Sequence, residues 1–106
     1  MLVLRGGRVL DPARGLDAVA DVVIEGGRIK EVRQGLTAPP GDTVVDATGM
    51  YVIPGGIDCH THLDMPFGGT TSSDDFETGT RAAAFGGTTT IVDFAIQGRG
   101  TRMRDA

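Results

Sequence analysis

Both histidines of the chain lie in one short stretch, Ile53 to His62, and this stretch limits the folds open to the sequence. Residues 50–53 are expected to begin a β-strand that leads through Pro54 and two glycines into the histidines. Side chains alternate between the two faces of a strand, so His60 and His62 should share one face with Asp58. Two imidazoles on one face of a rigid strand can hold a divalent metal ion.

A His-x-His pair also occurs in proteins that bind no metal, so the pair alone does not establish a site. The residues after it favour one, because a loop with Pro66 and two glycines ends the strand directly after His62. The histidines would then lie at the C-terminal end of the strand, where parallel α/β folds place their chemistry. Cys59 is expected on the opposite face, packed and not a ligand.

The second half of the chain predicts a strand, a helix and a second strand. Ser73 or Asp74 would cap the helix, and Gly86-Gly87 would end it. The acidic residues around Asp75 could be read as a metal site, but capping and interaction with the helix dipole are the favoured interpretation. Residues 88–95 are β-branched and apolar, which is typical of a buried parallel strand.

Residues 1–50 predict short antiparallel strands. Apolar runs flank Gly6-Gly7 and Gly26-Gly27, and each glycine pair is expected to turn a hairpin. A phosphate-binding loop is less favoured, because a strand and not a helix follows each pair. The chain is therefore divided into a β-rich part, residues 1–50, and a strand–helix–strand part, residues 51–106.

Composition narrows the range of functions. The 10 basic and 14 acidic residues give a net charge of −4 with no basic patch, which argues against nucleic-acid binding. The single cysteine cannot form an internal disulfide, which predicts a reducing, cytoplasmic location. No apolar run approaches the length of a membrane-spanning helix, so no membrane partner is expected.

The segment from Pro54 to His62 resembles the first barrel strand of the amidohydrolase superfamily. The run His60 to Thr70, HTHLDMPFGGT, resembles the D-hydantoinase and dihydropyrimidinase branch of this superfamily. Residues 75–90 also resemble this branch, and the first fifty residues do so more weakly. The resemblance implies an α/β fold: part of a small β-sandwich, followed by the start of a (β/α)8 barrel. Such a barrel needs at least about 200 residues, so the chain is expected to be a fragment of a larger fold.

The resemblance also implies an enzyme that hydrolyses small cyclic amides, as a homo-oligomer and typically a tetramer. Such enzymes hold two zinc ions per subunit, bridged by a carbamylated lysine, and a metal-bound hydroxide attacks the cyclic amide. Only His60 and His62 carry over as metal ligands, with Asp58 as a residue that supports them. Lys30, the only lysine, lies in the β-rich part, so the bridging lysine is absent. No catalytic residue is expected within the chain, and the chain alone should be inactive.

Leu63, Met65 and Phe67 follow the histidines into a loop that, by resemblance, lines the pocket for the ring substituent. Packing of this loop against the barrel is an equal alternative. Two other functions stay open, an allantoinase or dihydroorotase and a non-enzymatic scaffold relative. Dihydroorotases usually carry an arginine two residues after the second histidine, where this chain has Asp64. Scaffold relatives lose metal ligands, whereas this chain keeps both histidines.

Overall fold

The computed structural model describes all 106 residues, which form two compact units, Met1–Pro54 and Gly55–Ala106. The first unit consists of strands and one short 3-10 helix, Pro12–Arg14. The second unit contains strands, one α-helix and a 3-10 turn at Met103–Asp105. No helix in the chain is both long enough and apolar enough to cross a membrane.

The first unit is organised on one long strand, β1, Leu2–Asp11. Strand β2, Leu16–Glu25, pairs antiparallel with β1, and β3, Arg28–Arg33, pairs antiparallel with β2. Strands β4, Thr43–Asp46, and β5, Tyr51–Val52, both pair with β1 in parallel. The core of this sheet consists of small apolar side chains, namely Val3, Val9, Ala20, Val22, Val23 and Ala47.

One of the two predicted hairpins forms. Gly26 and Gly27 turn the chain between β2 and β3, with φ angles of 56° and 73°. Positive φ at both central residues is what a tight hairpin turn of this kind requires. The second hairpin is confirmed.

The hairpin predicted at Gly6-Gly7 is wrong, because β1 continues through both glycines. Three residue steps on β1, from Leu4 to Gly7, face two steps on β2, so β1 carries one extra residue. Only Gly6 has a positive φ, 71°, which fits a bulge and not a two-residue turn. Strands β4 and β5 each pair in parallel with β1, so the expectation that this part is wholly antiparallel is also wrong.

A buried carboxylate holds this bulge. Asp21 is only 5% exposed, and it accepts hydrogen bonds from the backbone amides of Gly6, at 2.7 Å, and Leu36, at 2.8 Å. The Leu36 amide lowers the pKa of Asp21 against the opposing effect of burial, and the Gly6 amide acts in the same direction. Asp21 therefore joins the bulge of β1 to the segment that follows β3.

The second unit places two parallel strands side by side. Strand β6 spans Gly56–Thr61, and it pairs in parallel with the last strand of the chain, which spans Thr88–Asp93. Between them come a small hairpin, β7, Pro66–Phe67, with β8, Thr70–Thr71, and the helix α1, Phe76–Phe85. The last strand is β9. The predicted order of strand, helix and adjacent parallel strand is confirmed.

Tyr51 and Val52 do not lead into β6 as expected. They form β5 in the first unit's sheet, where Val52 pairs with Val9 of β1. The chain leaves that sheet through Ile53 and Pro54, and β6 begins only at Gly56. Proline lacks a backbone N–H, so a strand cannot pair continuously through Pro54.

Helix α1 begins slightly later than predicted. Its cap is Asp75, not Ser73 or Asp74: the Asp75 carboxylate accepts from the Thr78 amide at 2.8 Å. The Thr78 hydroxyl accepts in turn from the Asp75 amide at 3.1 Å, which completes a capping box. The Thr78 amide lowers the pKa of Asp75. The helix ends at Gly86, and Gly87 has a φ of 85°, as expected for a glycine C-terminus.

The apolar side chains of the second unit remain largely exposed. No residue of β6, α1 or β9 is buried, and Val92 on β9 is 53% exposed. The expectation that β9 is a buried strand is therefore wrong for this chain. Two strands and one helix cannot cover both faces of a parallel sheet, which normally has helices on each side.

We expect Asp21→Ala to lower the free energy of unfolding by about 2–3 kcal/mol at neutral pH, because two backbone amides lose their acceptor. The folded pKa of Asp21 is depressed, so its contribution is present above the unfolded value, about 3.9, and is lost as pH falls through the folded pKa. Denaturant unfolding of both proteins at neutral and strongly acid pH measures this, and their difference should shrink in acid. Asp17→Ala, at an exposed carboxylate, is the control, and equal stability of Asp21→Ala and wild type at neutral pH would contradict the expectation.

Candidate metal centre at the end of β6

His60 and His62 lie together at the C-terminal end of β6. His60 is within the strand and His62 is one residue beyond it. Their ring centroids are 5.1 Å apart, and the ring planes meet at 85°. Both side chains are exposed. Two neighbouring imidazoles are a donor set that suits zinc and other divalent transition metals.

Strand β6 bulges at the histidines. Asp58 pairs with Ile91 and Thr61 pairs with Asp93, so β6 has three residue steps where β9 has two. Bulges occur often beside functional sites, where they redirect a side chain. Strict alternation along β6, which placed Asp58 on the histidine face, does not run through this segment. Asp58 instead accepts a hydrogen bond from the His60 backbone amide at 3.1 Å, so its carboxylate supports the bulged backbone.

Phe94 contacts both imidazoles and was not singled out from the sequence. It follows β9 directly, and its ring centroid lies 5.0 Å from that of His60 and 4.8 Å from that of His62. Aromatic rings at this separation pack favourably against one another, so Phe94 supports the arrangement of both imidazoles. The available signal was positional: neighbouring parallel strands end at one edge, so residues after β9 must lie near residues after β6.

Asp93, the last residue of β9, holds the chain just after His62. Its Oδ2 accepts a hydrogen bond from the Leu63 amide at 2.8 Å. Burial acts to raise the pKa of Asp93, but the amides of Leu63 and Phe94 outweigh it and the pKa lies below its usual value. His62 acts in the same direction. This carboxylate was also not identified from the sequence.

Only two of the three residues predicted for the pocket loop line a groove with His62. Met65 and Phe67 line an open groove of about 410 Å³ together with His62, and Thr70, Thr71 and Ser72 complete its walls. Leu63 instead packs against α1, where a Cβ added at Gly79 would come within 2.3 Å of its Cδ2. No lysine or arginine lines the groove.

The histidine pair is not part of a larger ligand cluster within the chain. No group of three or more histidine, cysteine, aspartate or glutamate side chains is arranged to hold a metal ion. Cys59 is exposed within the bulge, so the expectation that it is packed is wrong for this chain. Lys30 lies in the first unit, where its ammonium pairs with Glu25 at 2.6 Å.

Known proteins match the chain over most of its length. The profile of the amidohydrolase family matches residues 51–106, which is more than half of the sequence. The chain belongs to the amidohydrolase family. It is 54% identical over 107 residues to a D-hydantoinase of Streptomyces coelicolor, covering 97% of this chain and 22% of that protein. It is 47% identical over 110 residues to a dihydropyrimidinase of Rattus norvegicus, covering 99% and 21%.

A third relative carries a different enzyme name. A dihydroorotase of Geobacter sulfurreducens is 52% identical over 91 residues, covering 86% of this chain and 21% of that protein. The chain thus spans about a fifth of the length of the curated relatives that it matches. The resemblance to D-hydantoinases and dihydropyrimidinases is confirmed, and dihydroorotases are also similar.

Solved structures agree with these relatives. A D-hydantoinase of Bacillus sp. AR9 matches with a TM-score of 0.89 and 53% identity, covering 99% of this chain and 22% of that one. A dihydropyrimidinase of Brevibacillus agri matches with a TM-score of 0.89 and 50% identity, covering 97% and 22%. The two units therefore have the fold of the matching part of a D-hydantoinase.

Proposed function

We propose that this chain is the N-terminal portion of a metal-dependent hydrolase that opens hydantoin or dihydropyrimidine rings. One observation carries the proposal: the ring centroids of His60 and His62 lie 5.1 Å apart at the C-terminal end of a parallel strand. Membership of the amidohydrolase family and the similarity to D-hydantoinases support it. The substrate would be a small cyclic amide.

We further propose that β6, α1 and β9 are the first unit of a (β/α)8 barrel, preceded by part of a β-sandwich. The parallel pairing of β6 with β9 supports this, as do the apolar side chains that the unit leaves uncovered, such as Phe85, which is 87% exposed. Active sites of such barrels lie at the C-terminal ends of the strands. His60 and His62 lie at that end of β6.

His60 and His62 are proposed to hold one divalent ion, with zinc as the candidate because imidazole nitrogen is among its preferred ligands. When bound, zinc supplies Lewis acidity and lowers the pKa of coordinated water. The chain's own part is to present two neutral imidazoles, since a protonated imidazole cannot bind metal. Asp58 fixes the backbone of His60, and Phe94 packs against both rings.

The rest of the site would come from elsewhere in the longer protein. A second zinc ion, the bridging carbamylated lysine and the catalytic aspartate would also come from there, because the single lysine of this chain, Lys30, pairs with Glu25. We therefore propose that the 106 residues alone do not hydrolyse cyclic amides. The proposed homo-oligomer, a tetramer, rests on family resemblance, and the cytoplasmic location rests on the single cysteine.

Met65 and Phe67 are proposed to contact the substituent on the ring. They line the groove beside His62, and their apolar side chains suit an apolar or aromatic substituent. Dihydroorotase is the second candidate, because one dihydroorotase is 52% identical to this chain. The substrate of a dihydroorotase carries a carboxylate, and this groove contains no lysine or arginine to bind it. Asp64 stands two residues after His62, where dihydroorotases usually carry an arginine. We therefore favour hydantoin or dihydropyrimidine substrates.

The histidine assignment predicts the behaviour of three variants of the full protein. His60→Asn and His62→Asn should each weaken zinc binding and lower hydantoin hydrolysis at least tenfold. Mutating a residue that only supports a metal ligand already lowers metal affinity or activity by about 10–100-fold. Cys59→Ala should keep both, because Cys59 is not proposed as a ligand. Zinc per subunit by elemental analysis, together with ring opening, is the measurement. If the histidine variants keep full zinc and full rate while Cys59→Ala loses both, the wrong side chains have been assigned.

The groove assignment predicts substrate preference. Phe67→Ala should lower kcat/KM by about tenfold for a hydantoin with an aromatic substituent at C5, because this substituent loses its apolar contact with Phe67. Unsubstituted hydantoin, which lacks the contact, is the internal control and should change by less than about twofold. Initial rates with both substrates and with dihydroorotate give the comparison. Faster turnover of dihydroorotate than of either hydantoin by the wild-type protein would favour the dihydroorotase alternative.

A further inference from the structure

His62 lies beyond the region held by strand pairing. The β6–β9 pairing ends with Thr61 opposite Asp93, and His62 is the next residue along the chain. The pairing is already irregular there, because the bulge between Asp58 and Thr61 removes one regular step. Backbone hydrogen bonds between the strands therefore cannot fix the position of His62.

Side-chain and loop contacts replace the missing strand pairing. Asp93 accepts from the amide of Leu63, the residue immediately after His62, at 2.8 Å. The next amide, that of Asp64, donates to the Asp74 carbonyl at 2.8 Å. On the other side of the bulge, Asp58 accepts from the His60 amide at 3.1 Å. The backbone that carries the two histidines is thus held by one carboxylate on each side of the bulge.

The end of β9 also contacts the imidazole rings. Phe94, adjacent to Asp93, lies 5.0 Å from the His60 ring and 4.8 Å from the His62 ring. A shift of Asp93 would therefore affect both the backbone beside His62 and the aromatic contact to both rings. Asp93 is half-buried, so its hydrogen bond to Leu63 has limited competition from water.

We propose that Asp93 is a positioning residue for the metal centre, which holds His62 in place through the backbone amide of Leu63. This inference rests on the proposed metal-binding function of the histidine pair. Asp93 does not contact the metal or the substrate in this role. Its effect is to keep His62 at a fixed distance from His60, so that little ordering is needed when an ion binds.

Zinc affinity of the full protein, measured by competition with a chelating dye, tests the role. Asp93→Ala should bind zinc about 10–100-fold more weakly than wild type, the usual range for residues that orient metal ligands. Asp93→Asn keeps one carbonyl oxygen that can accept from the Leu63 amide but loses the acceptor of the Phe94 amide, so it should recover most of the affinity that Asp93→Ala loses. Hydrogen exchange of the Leu63 amide in the metal-free protein should be faster in Asp93→Ala and near wild type in Asp93→Asn.

Asp75→Ala is the matched control, because Asp75 is a carboxylate of the same unit that also accepts from a backbone amide. It should lower the unfolding temperature of the metal-free protein but leave zinc affinity unchanged. Should Asp93→Ala fail to fold, Asp93→Ser, with a shorter side chain, takes its place and should bind zinc more weakly than Asp93→Asn.

Two results would overturn the inference, and they are distinguishable. If His62→Asn loses zinc while Asp93→Ala and Asp93→Ser keep wild-type affinity, the metal centre stands and Asp93 has no positioning role. If His62→Asn and His60→Asn also keep wild-type affinity, the proposed metal centre itself is wrong, and the role of Asp93 is overturned with it.

Discussion

The parallel pairing of β6 with β9 is the interaction on which the candidate site depends. It brings residues more than thirty positions apart, such as His60 and Phe94, to one edge of the sheet. The bulge in β6 then sets where the histidines lie along that edge. A carboxylate from each strand, Asp58 and Asp93, holds the backbone on either side. The site is therefore a product of strand register as much as of the histidine pair.

Elements with strong local signals could be predicted from the sequence. The Gly26-Gly27 hairpin, the glycine end of α1 and the strand–helix–strand order all depend on residues close together in the chain. Gly6-Gly7 shows the limit of this reasoning, because glycines between apolar runs suit a bulge as well as a hairpin. The choice was made by distant partners, β2 and the buried Asp21, which accepts from Gly6. Similarly, β9 reads as a buried strand, but burial needs elements that these 106 residues do not supply.

The candidate site could be predicted only where it depends on residues that are close together in the sequence. His60 and His62 are two positions apart, and their proximity follows from local geometry. Asp93 and Phe94 come from the other strand, and only the register places them beside the histidines. The role of Asp58 differed from expectation because the bulge interrupts alternation, so its carboxylate meets the His60 backbone. Resemblance identified the family, and no group of three or more potential metal ligands occurs within these residues.

Anomalous diffraction at the zinc edge, from crystals of the full protein, tests the assignment of His60 and His62 as ligands of one ion most directly. The predicted result is an anomalous peak within about 2.0–2.2 Å of one ring nitrogen from each histidine, the usual zinc–imidazole distance. A fully occupied zinc peak elsewhere in the protein, with both imidazoles unbound, would contradict it.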